Sequence, residues 1–582
     1  MATASAVFPR HVPATRARAR RKPSLRKFPF ENFILFGLAL AFYIVIANFL
    51  VFRMHYMIDD AYARTDNAFD VLYTSDPHLG GIGFFWPPLP SFLQLPFLAF
   101  NGVWPALVGH GFAGSIEAAA FSAGTAVVIN SGLRWAGVVR AMRWVFCLIW
   151  VVNPMTIIYA AQGMSEAMFV FFFTASILVF LRWSENRRTS LLPLLGVLAG
   201  GGCLCRNEAF AVAFLLGVGV TVQTVRNGGR WREVETELLL YALPAVFVTM
   251  LWIGSMAIIM HDPIYWLHAN GIGSPSQAAA SVPAAGPAIA HPIAPPDPNA
   301  GTNRLSAYGL IRFDTYREAA TFILGHSLAL FPAVVLFIGL VGARLLIKAK
   351  RVSGIVLLVL GASIPALDIF IIRGGLAPDI RYQIAIIPFT FLMAIYVLRS
   401  LGGRRGAILS TLTALGMVPA LAVSTLLTAQ TLSNPALAPQ EAPLYAALVA
   451  GKNVPQATGQ RNKIDIGAEV TPKILALDKD TGRILCDSTT CFPVILNAPN
   501  PKQFIVTSDE VFEGAAGQPQ VYGVEYFLVP PPTGQAAYDR LNVLYPTLWK
   551  DGAGFSQLVG SVTGDPMGEW RLYRITGPTG RG

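Results

Sequence analysis

Met57-Ile-Asp-Asp-Ala-Tyr62 follows an apolar run, Phe33 to Phe52, that carries no charged residue and is long enough to cross a bilayer. Two adjacent carboxylates, Asp59 and Asp60, therefore stand just outside a membrane anchor, where a lipid-borne substrate presents its head group. The plain alternative is a solvated acid pair that helps to set topology, but acids contribute little to topology. Neighbouring carboxylates repel, so one of them holds its proton more tightly unless a cation or metal intervenes. That property suits a general base. On an extended segment the two point to opposite sides, so one of them is expected to face a reaction.

Composition sets the class. Of 582 residues, 54% are hydrophobic and 13% are charged, and the mean hydropathy is +0.52. Soluble domains carry roughly 25% charged residues, so this is a polytopic membrane protein with soluble appendages. The net charge of +11 does not point to nucleic acid, because the cations cluster between the apolar runs, where cytoplasmic loops lie. Arg10 to Lys27 holds eight cations and no acid. With a spanning run after it and no small-residue cleavage site, it reads as a retained signal anchor.

Eleven apolar runs are candidate spans: 32–52, 106–130, 143–161, 164–182, 191–205, 208–225, 238–260, 320–345, 353–372, 384–400 and 407–429. The stretch 191–225 decides the topology. As one helix it would bury Arg206, Asn207 and Glu208, and a mid-bilayer charge costs at least about 2.5–3.5 kcal/mol. Two short spans with Arg206-Asn-Glu208 at the turn avoid that cost. They also keep Arg134/Arg140/Arg143, Arg182/Arg187/Arg188, Arg226/Arg230/Arg232, Arg344/Lys348/Lys350/Arg351 and Arg399/Arg404/Arg405 on one side with the N-terminus, the positive-inside pattern.

This divides the chain into a basic cytoplasmic tail (1–31), a transmembrane body (32–429) with outer loops 54–105 and 261–319, and an extracytoplasmic α/β domain (430–582). The Ala/Pro-rich core of the second loop, 272–303, is expected to be mobile. In the last domain, 473–477, 492–496, 503–507, 524–529 and 570–574 read as strands and 535–549 as helical. Cys486 and Cys491 lie in this polar region, either bonded, which would imply an oxidising compartment, or as two free thiols. Cys147, Cys203 and Cys205 read as inert packing. Gly80-Gly-Ile-Gly83 is too short and wrongly placed for a phosphate loop.

Four further constellations share the predicted outer face with the acid pair. Asp76-Pro-His78 precedes Gly83-Phe-Phe-Trp-Pro-Pro-Leu-Pro90, whose prolines bar a regular helix and whose aromatic rings suit the head-group layer. It is either a surface anchor or a wall of the site, with His78 as a substrate or metal contact. Gln162-Gly-Met-Ser-Glu166 sits at a tight turn, with Ser165 as a helix cap or Glu166 in the site. Arg206-Asn-Glu208 is either an internal ion pair or a phosphate contact. In Asp379-Ile-Arg-Tyr382, Arg381 is suited to bidentate phosphate binding, the alternative being a snorkelling interfacial arginine. His261-Asp262 and His268 do not form a zinc pattern.

Asp59-Asp60-Ala-Tyr62, Trp86-Pro-Pro-Leu89, Ser165-Glu166, Arg206-Asn-Glu208 and Arg381-Tyr382 leading to Pro388, taken in this order, resemble the GT-C class of integral membrane glycosyltransferases. Within that class they resemble the protein O-mannosyltransferase and aminoarabinose-transferase group of prokaryotes. The resemblance implies a polyprenyl-phosphate-linked sugar donor and a hydroxyl acceptor on a glycan, lipid or protein, outside a plasma (inner) membrane, in cell-envelope glycosylation. It makes Asp59 the base with Asp60 beside it, and Arg381 with Arg206 the holders of the donor phosphate; His78, Glu166, Glu208 and Tyr382 are the further candidate substrate contacts on the same face. Adjacent aspartates permit a divalent metal, Mg or Mn, without requiring one. The chain departs from the mannosyltransferase pattern at Asp60, where glutamate is usual. A flippase of lipid-linked sugars would need repeated halves and mid-membrane charges. A non-catalytic assembly protein would not need the acid and arginine set.

Overall fold

A long charge-free run in a bilayer can satisfy its backbone only by its own hydrogen-bond ladder, and all eleven apolar runs are helical. The computed structural model describes residues 30–266, 304–305, 311–313, 315–347, 351–372, 379–401, 406–451, 462–478, 481–533, 536, 539–563 and 568–579. Eight helices are long and apolar enough to span, and two bent pairs raise the number to ten. Each bend has a cause in sequence. Arg140–Val151 and Pro154–Ala161 meet at 64°, where Pro154 begins the second helix and Asn153 caps it by accepting from the Met155 and Thr156 amides. Tyr316–Leu330 and Ala333–Ile347 meet at 96° across Phe331-Pro332. This is a multi-pass membrane protein.

The stretch 191–225 does divide, into Leu191–Cys203 and Glu208–Arg226, with Arg206 at the break. The short first helix lies close against Trp231–Ile259. A Cβ on Gly196 would stand 2.1 Å from the Tyr241 carbonyl oxygen, so only a backbone without a side chain fits there. The core of the second loop, 272–303, lies outside the described residues. The described pieces near it form a two-residue antiparallel ladder, β1 (Arg304–Leu305) with β2 (Ile311–Arg312).

The C-terminal α/β domain is built on β3 (Arg483–Cys486), β4 (Phe504–Val506), β5 (Val524–Val529), β6 (Ser556–Thr563) and β7 (Glu569–Ile575), in the order β4-β3-β5-β7-β6. β3 runs parallel to β4 and β5, while β7 is antiparallel to β5 and β6. Side chains alternate between two cores. Ile484, Phe504, Tyr526 and Leu528 join the core that continues into the membrane helices. Leu485, Ile505, Phe527 and Val529 fill a separate one beyond the sheet. β3, β4 and β5 are covered on both faces, so they read as unbroken apolar runs, whereas β6 at the edge is largely exposed.

Two expected strands are helices. Residues 473–477 are the last turn of Lys463–Leu477, which buries Ile466, Val470 and Ile474 at helical spacing. The stripe begins at Ile466, before the apolar run that suggested a strand. Residues 492–496 lie at the end of Ser488–Ile495, started by an Asp487 cap, and a short, fully buried apolar run has no period of its own. β3 and β6 were not anticipated. The expected helix 535–549 is broken into Arg540–Leu544 and Leu548–Asp551, with Pro546 between them. Cys486 and Cys491 are joined in a disulfide.

Candidate active site

The spanning helix that opens the described chain unwinds through a π-type turn, Phe49–Arg53. The next residues are pinned by side chains from far along the chain. The Ile58 amide donates to Gln162 Oε1 at 2.8 Å, and Gln162 Nε2 donates to the Tyr56 carbonyl at 3.3 Å. Asn462 bonds both the amide and the carbonyl of Met57. Gln162 can reach because Gly163 (φ +70°) turns the chain against Gly114, where a Cβ would lie 2.8 Å from backbone. Asp59 and Asp60 then begin the helix Asp59–Tyr73, where its dipole favours negative charge. They are not on an extended segment, and they diverge by a helical step.

Their partners differ. Asp60 Oδ2 accepts from Arg381 Nη1 at 2.8 Å. Asp59 Oδ2 lies 3.1 Å from Lys463 Nζ of the C-terminal domain, and its side chain is 56% exposed. The acid pair is thus relieved by two cations. Burial works against the Asp60 charge, but Arg381, Arg64 and Lys463 outweigh it and hold that carboxyl below its usual range.

From Asp60 a chain of ion pairs runs inward. Arg381 is buried and reaches Asp379 at 3.2 Å and Glu166 at 3.8 Å, so it does not snorkel. Glu166, 1% exposed, also accepts from Arg206 Nη1. Arg206 Nη2 meets Glu208 at 2.6 Å. Burial disfavours the Arg206 charge, yet Glu208 and Glu166 keep its proton more tightly held than in water. Both guanidinium groups approach the Tyr382 ring, Arg381 at 5.4 Å and Arg206 at 5.5 Å from its centre. Ser165 is not a cap. Met164 holds that position, and the Ser165 hydroxyl accepts from Arg64 Nη2 at 3.3 Å.

Six of the expected residues, Asp60, Glu166, Arg206, Glu208, Arg381 and Tyr382, therefore meet in one cluster, with Asp59 at its edge. His78 does not join them: its Nδ1 bonds the Asp76 carbonyl at 2.7 Å, and its ring packs over Gly80. Trp86 does approach, through Arg64, whose guanidinium lies 4.6 Å from the Trp86 ring centre. Arg64 is the residue that sequence reasoning missed. It is 6% exposed, and its Nε and Nη1 are buried without a hydrogen-bond partner among the described residues. The available signal was its place four residues after Asp60, the same face once the segment is helical. Also unforeseen is Glu441, bonded by the Tyr159 hydroxyl and raised to about 7 by burial.

Among the described residues no group of three His, Cys, Asp or Glu side chains is arranged to hold a metal. Asp59 and Asp60 are turned to separate cations, so the donor set does not fit one. The cluster offers instead a half-exposed carboxylate over three guanidinium groups, with donors left unused on Arg64 (Nε and Nη1) and on Arg381 (Nε) among the described residues.

No family model and no curated protein matches the chain. Its structure is similar to that of ArnT from Cupriavidus metallidurans, solved bound to undecaprenyl phosphate. The TM-score is 0.51 at 12% identity, over 94% of this chain and 99% of that one. It is more distantly similar to the Archaeoglobus fulgidus oligosaccharyltransferase tethered with an acceptor peptide. There the TM-score is 0.38 at 12% identity, over 92% of this chain and 74% of that one. The fold is that of the GT-C class.

Proposed function

We propose that this protein is a membrane glycosyltransferase that takes a sugar from a polyprenyl-phosphate donor and transfers it to an acceptor hydroxyl on the extracytoplasmic side. The observation that carries the reading is the cluster itself: Asp60 stands at the open edge of Arg381, Arg206 and Arg64, within a GT-C fold. The Cys486–Cys491 bond supports an oxidising compartment for the C-terminal domain, and the cation pattern supports a cytoplasmic N-terminus. The likeness to a protein solved with undecaprenyl phosphate supports a lipid phosphate as the leaving group.

Attack at an anomeric carbon needs a base for the incoming hydroxyl and cations for the departing phosphate, and stabilising that developing charge is usually the larger contribution. Arg64 has donors to spare and takes a phosphate oxygen first. Arg381 is shared: a donor phosphate beside it competes with Asp60 for the same guanidinium. Asp60 then loses countercharge and gains proton affinity, so the carboxylate becomes a base when the donor is seated. The hydroxyl proton passes to Asp60, the hydroxyl oxygen bonds the anomeric carbon, and the glycosidic C–O bond breaks onto the polyprenyl phosphate. The geometry favours Asp60 over Asp59 as the base, and Asp59 positions the C-terminal domain through Lys463.

The test is donor consumption by purified protein offered a panel of polyprenyl-phosphate sugars. Consumption by the wild type and loss in Asp60→Asn support the assignment. A chain that binds these lipids but never cleaves them, with or without acceptors, overturns it.

A further inference from the structure

Three helices carry a residue of the cluster at one end and a second polar residue at the other. They are Glu166 and Glu185 on Ser165–Asn186, Glu208 and Arg226 on Glu208–Arg226, and Arg381 and Arg399 on the segment Ile380–Ser400. At 1.5 Å per residue the two ends are about 27–29 Å apart, a bilayer's hydrocarbon thickness. At the far end these helices enclose a cavity of about 1510 Å³ that also takes in Arg187, Arg344 and Trp135.

Four arginines and three glutamates line this cavity, and they are unevenly paired. Glu237 is taken by Arg187 at 2.6 Å and Glu185 by Arg399 at 2.6 Å, while Glu233 has no cation within ion-pair distance among the described residues, so the lining carries one net positive charge. Arg344 gives its Nε and Nη2 to the Ser400 hydroxyl and carbonyl, 2.7 and 2.6 Å, both uncharged. Neither Arg344 nor Arg226 has a carboxylate within ion-pair distance among the described residues. Arg187 Nη1 and Gln223 Oε1 are buried without hydrogen-bond partners among them. Apolar walls stand beside the cations: Trp135 under the Arg399 guanidinium at 5.1 Å, Leu181 buried, and Ile355 49% exposed.

We propose that this cavity binds the phosphate headgroup of an anionic phospholipid from the leaflet opposite the active site. Guanidinium groups in surplus select a phosphate ester. Their position at the ends of spanning helices, in the head-group layer, favours a ligand delivered laterally by the membrane. The adjoining apolar wall, with Ile355 open to the lipid, fits acyl chains and offers nothing to a free anion. The glycosyl-transfer reading is not needed for this site.

The experiment is native mass spectrometry of full-length protein from nanodiscs of phosphatidylcholine doped with phosphatidylglycerol or cardiolipin. Wild type is expected to retain the anionic lipid and release phosphatidylcholine. Arg226→Gln with Arg344→Gln should weaken retention at least about tenfold, while Arg188→Gln, an exposed cation at the same end that does not line the cavity, should leave it unchanged. Arg226→Gln alone, removing an exposed side chain with no partner among the described residues, carries the test if the double variant fails to fold. Equal retention by wild type and variants overturns the proposal, as does equal loss in Arg188→Gln. Displacement of the lipid by millimolar inorganic phosphate or nucleotide would also overturn it, by making this a soluble-anion site.

Discussion

Asp60→Asn separates a catalytic carboxylate from a structural one. The change keeps shape and removes one charge from a side chain that is 39% exposed. The carboxylate is only half-exposed and Arg381 is buried, so the cost of losing the charge depends on whether Arg381 keeps other partners. Arg381 is not orphaned by the loss, because Asp379 and Glu166 remain within 3.2 and 3.8 Å. Expression and thermal midpoint should therefore stay close to wild type. Turnover should fall about 10²–10⁴-fold, the usual contribution of a positioned base. Donor binding should hold or tighten, since asparagine no longer competes as an anion for Arg381. The assay pairs single-turnover release of polyprenyl phosphate with equilibrium binding of the donor lipid. The fall in rate must sit in the chemical step. A variant that keeps more than a tenth of the wild-type rate, or that loses the rate only because donor binding fails, would refute the role given to Asp60.

Other perturbations reach different parts of the structure. Glu166→Gln removes the buried charge shared by Arg206 and Arg381, but Arg206 keeps Glu208 and Arg381 keeps Asp60 and Asp379, so it should destabilise the fold by about 1–3 kcal/mol, seen as a drop in thermal midpoint in detergent; a midpoint equal to wild type would contradict the shared pairing. Arg64→Gln should weaken donor binding more than it lowers turnover at saturation, because its unused donors are assigned to the donor phosphate; a fall in turnover with binding intact would place it elsewhere. Gly163→Ala forces a Cβ into the Gly114 backbone at a positive φ and should reduce both stability and activity, since Gln162 then loses its hold on Ile58; unchanged thermal midpoint and rate would show that the turn has slack. Asp70 is bonded by Ser508 of the C-terminal domain at 2.7 Å, and burial raises its carboxyl from 3.8 to about 8. The folded state therefore keeps a proton that the unfolded state gives up. The contribution of this one proton to stability is full below pH 4 and declines as pH rises toward 8, by about 1.4 kcal/mol per pH unit. Asp70→Asn should flatten that decline in a pH series of thermal midpoints, and an unchanged slope would show that another group carries it.

Membrane helices were readable because a bilayer admits so few backbone solutions. All eleven apolar runs are helical, two of them as bent pairs, and even the division of 191–225 followed from the energy of burying Arg206. The two bends were not foreseen as bends, although Pro154 and Pro332 mark them, since hydropathy reports length and not direction. The C-terminal domain was harder to read. β3, β4 and β5 are covered on both faces, so Phe492-Pro-Val-Ile-Leu496 in a helix and Val524-Glu-Tyr-Phe-Leu-Val529 in a strand present the same apolar signal. Only the Asp487 cap distinguishes the first.

The site was visible as residue types but not as pairings. Asp60 and Arg381 stand 321 positions apart, and no local pattern says that Arg381 meets Asp60 while Lys463 meets Asp59. That choice follows from the pins on residues 56–58, supplied by Gln162 and by Asn462 beside Lys463. It has a functional consequence. Had both acids faced Arg381, neither would be released by an arriving phosphate. With Asp59 held separately by the domain, one donor anion is enough to free Asp60. Lys463→Gln tests this. Asp59, left without its cation, is then free to turn toward Arg381 and share it. The donor phosphate must displace two carboxylates, and its affinity should fall although Lys463 lies outside the proposed phosphate site. Donor affinity equal to wild type in Lys463→Gln would mean that the two acids act independently.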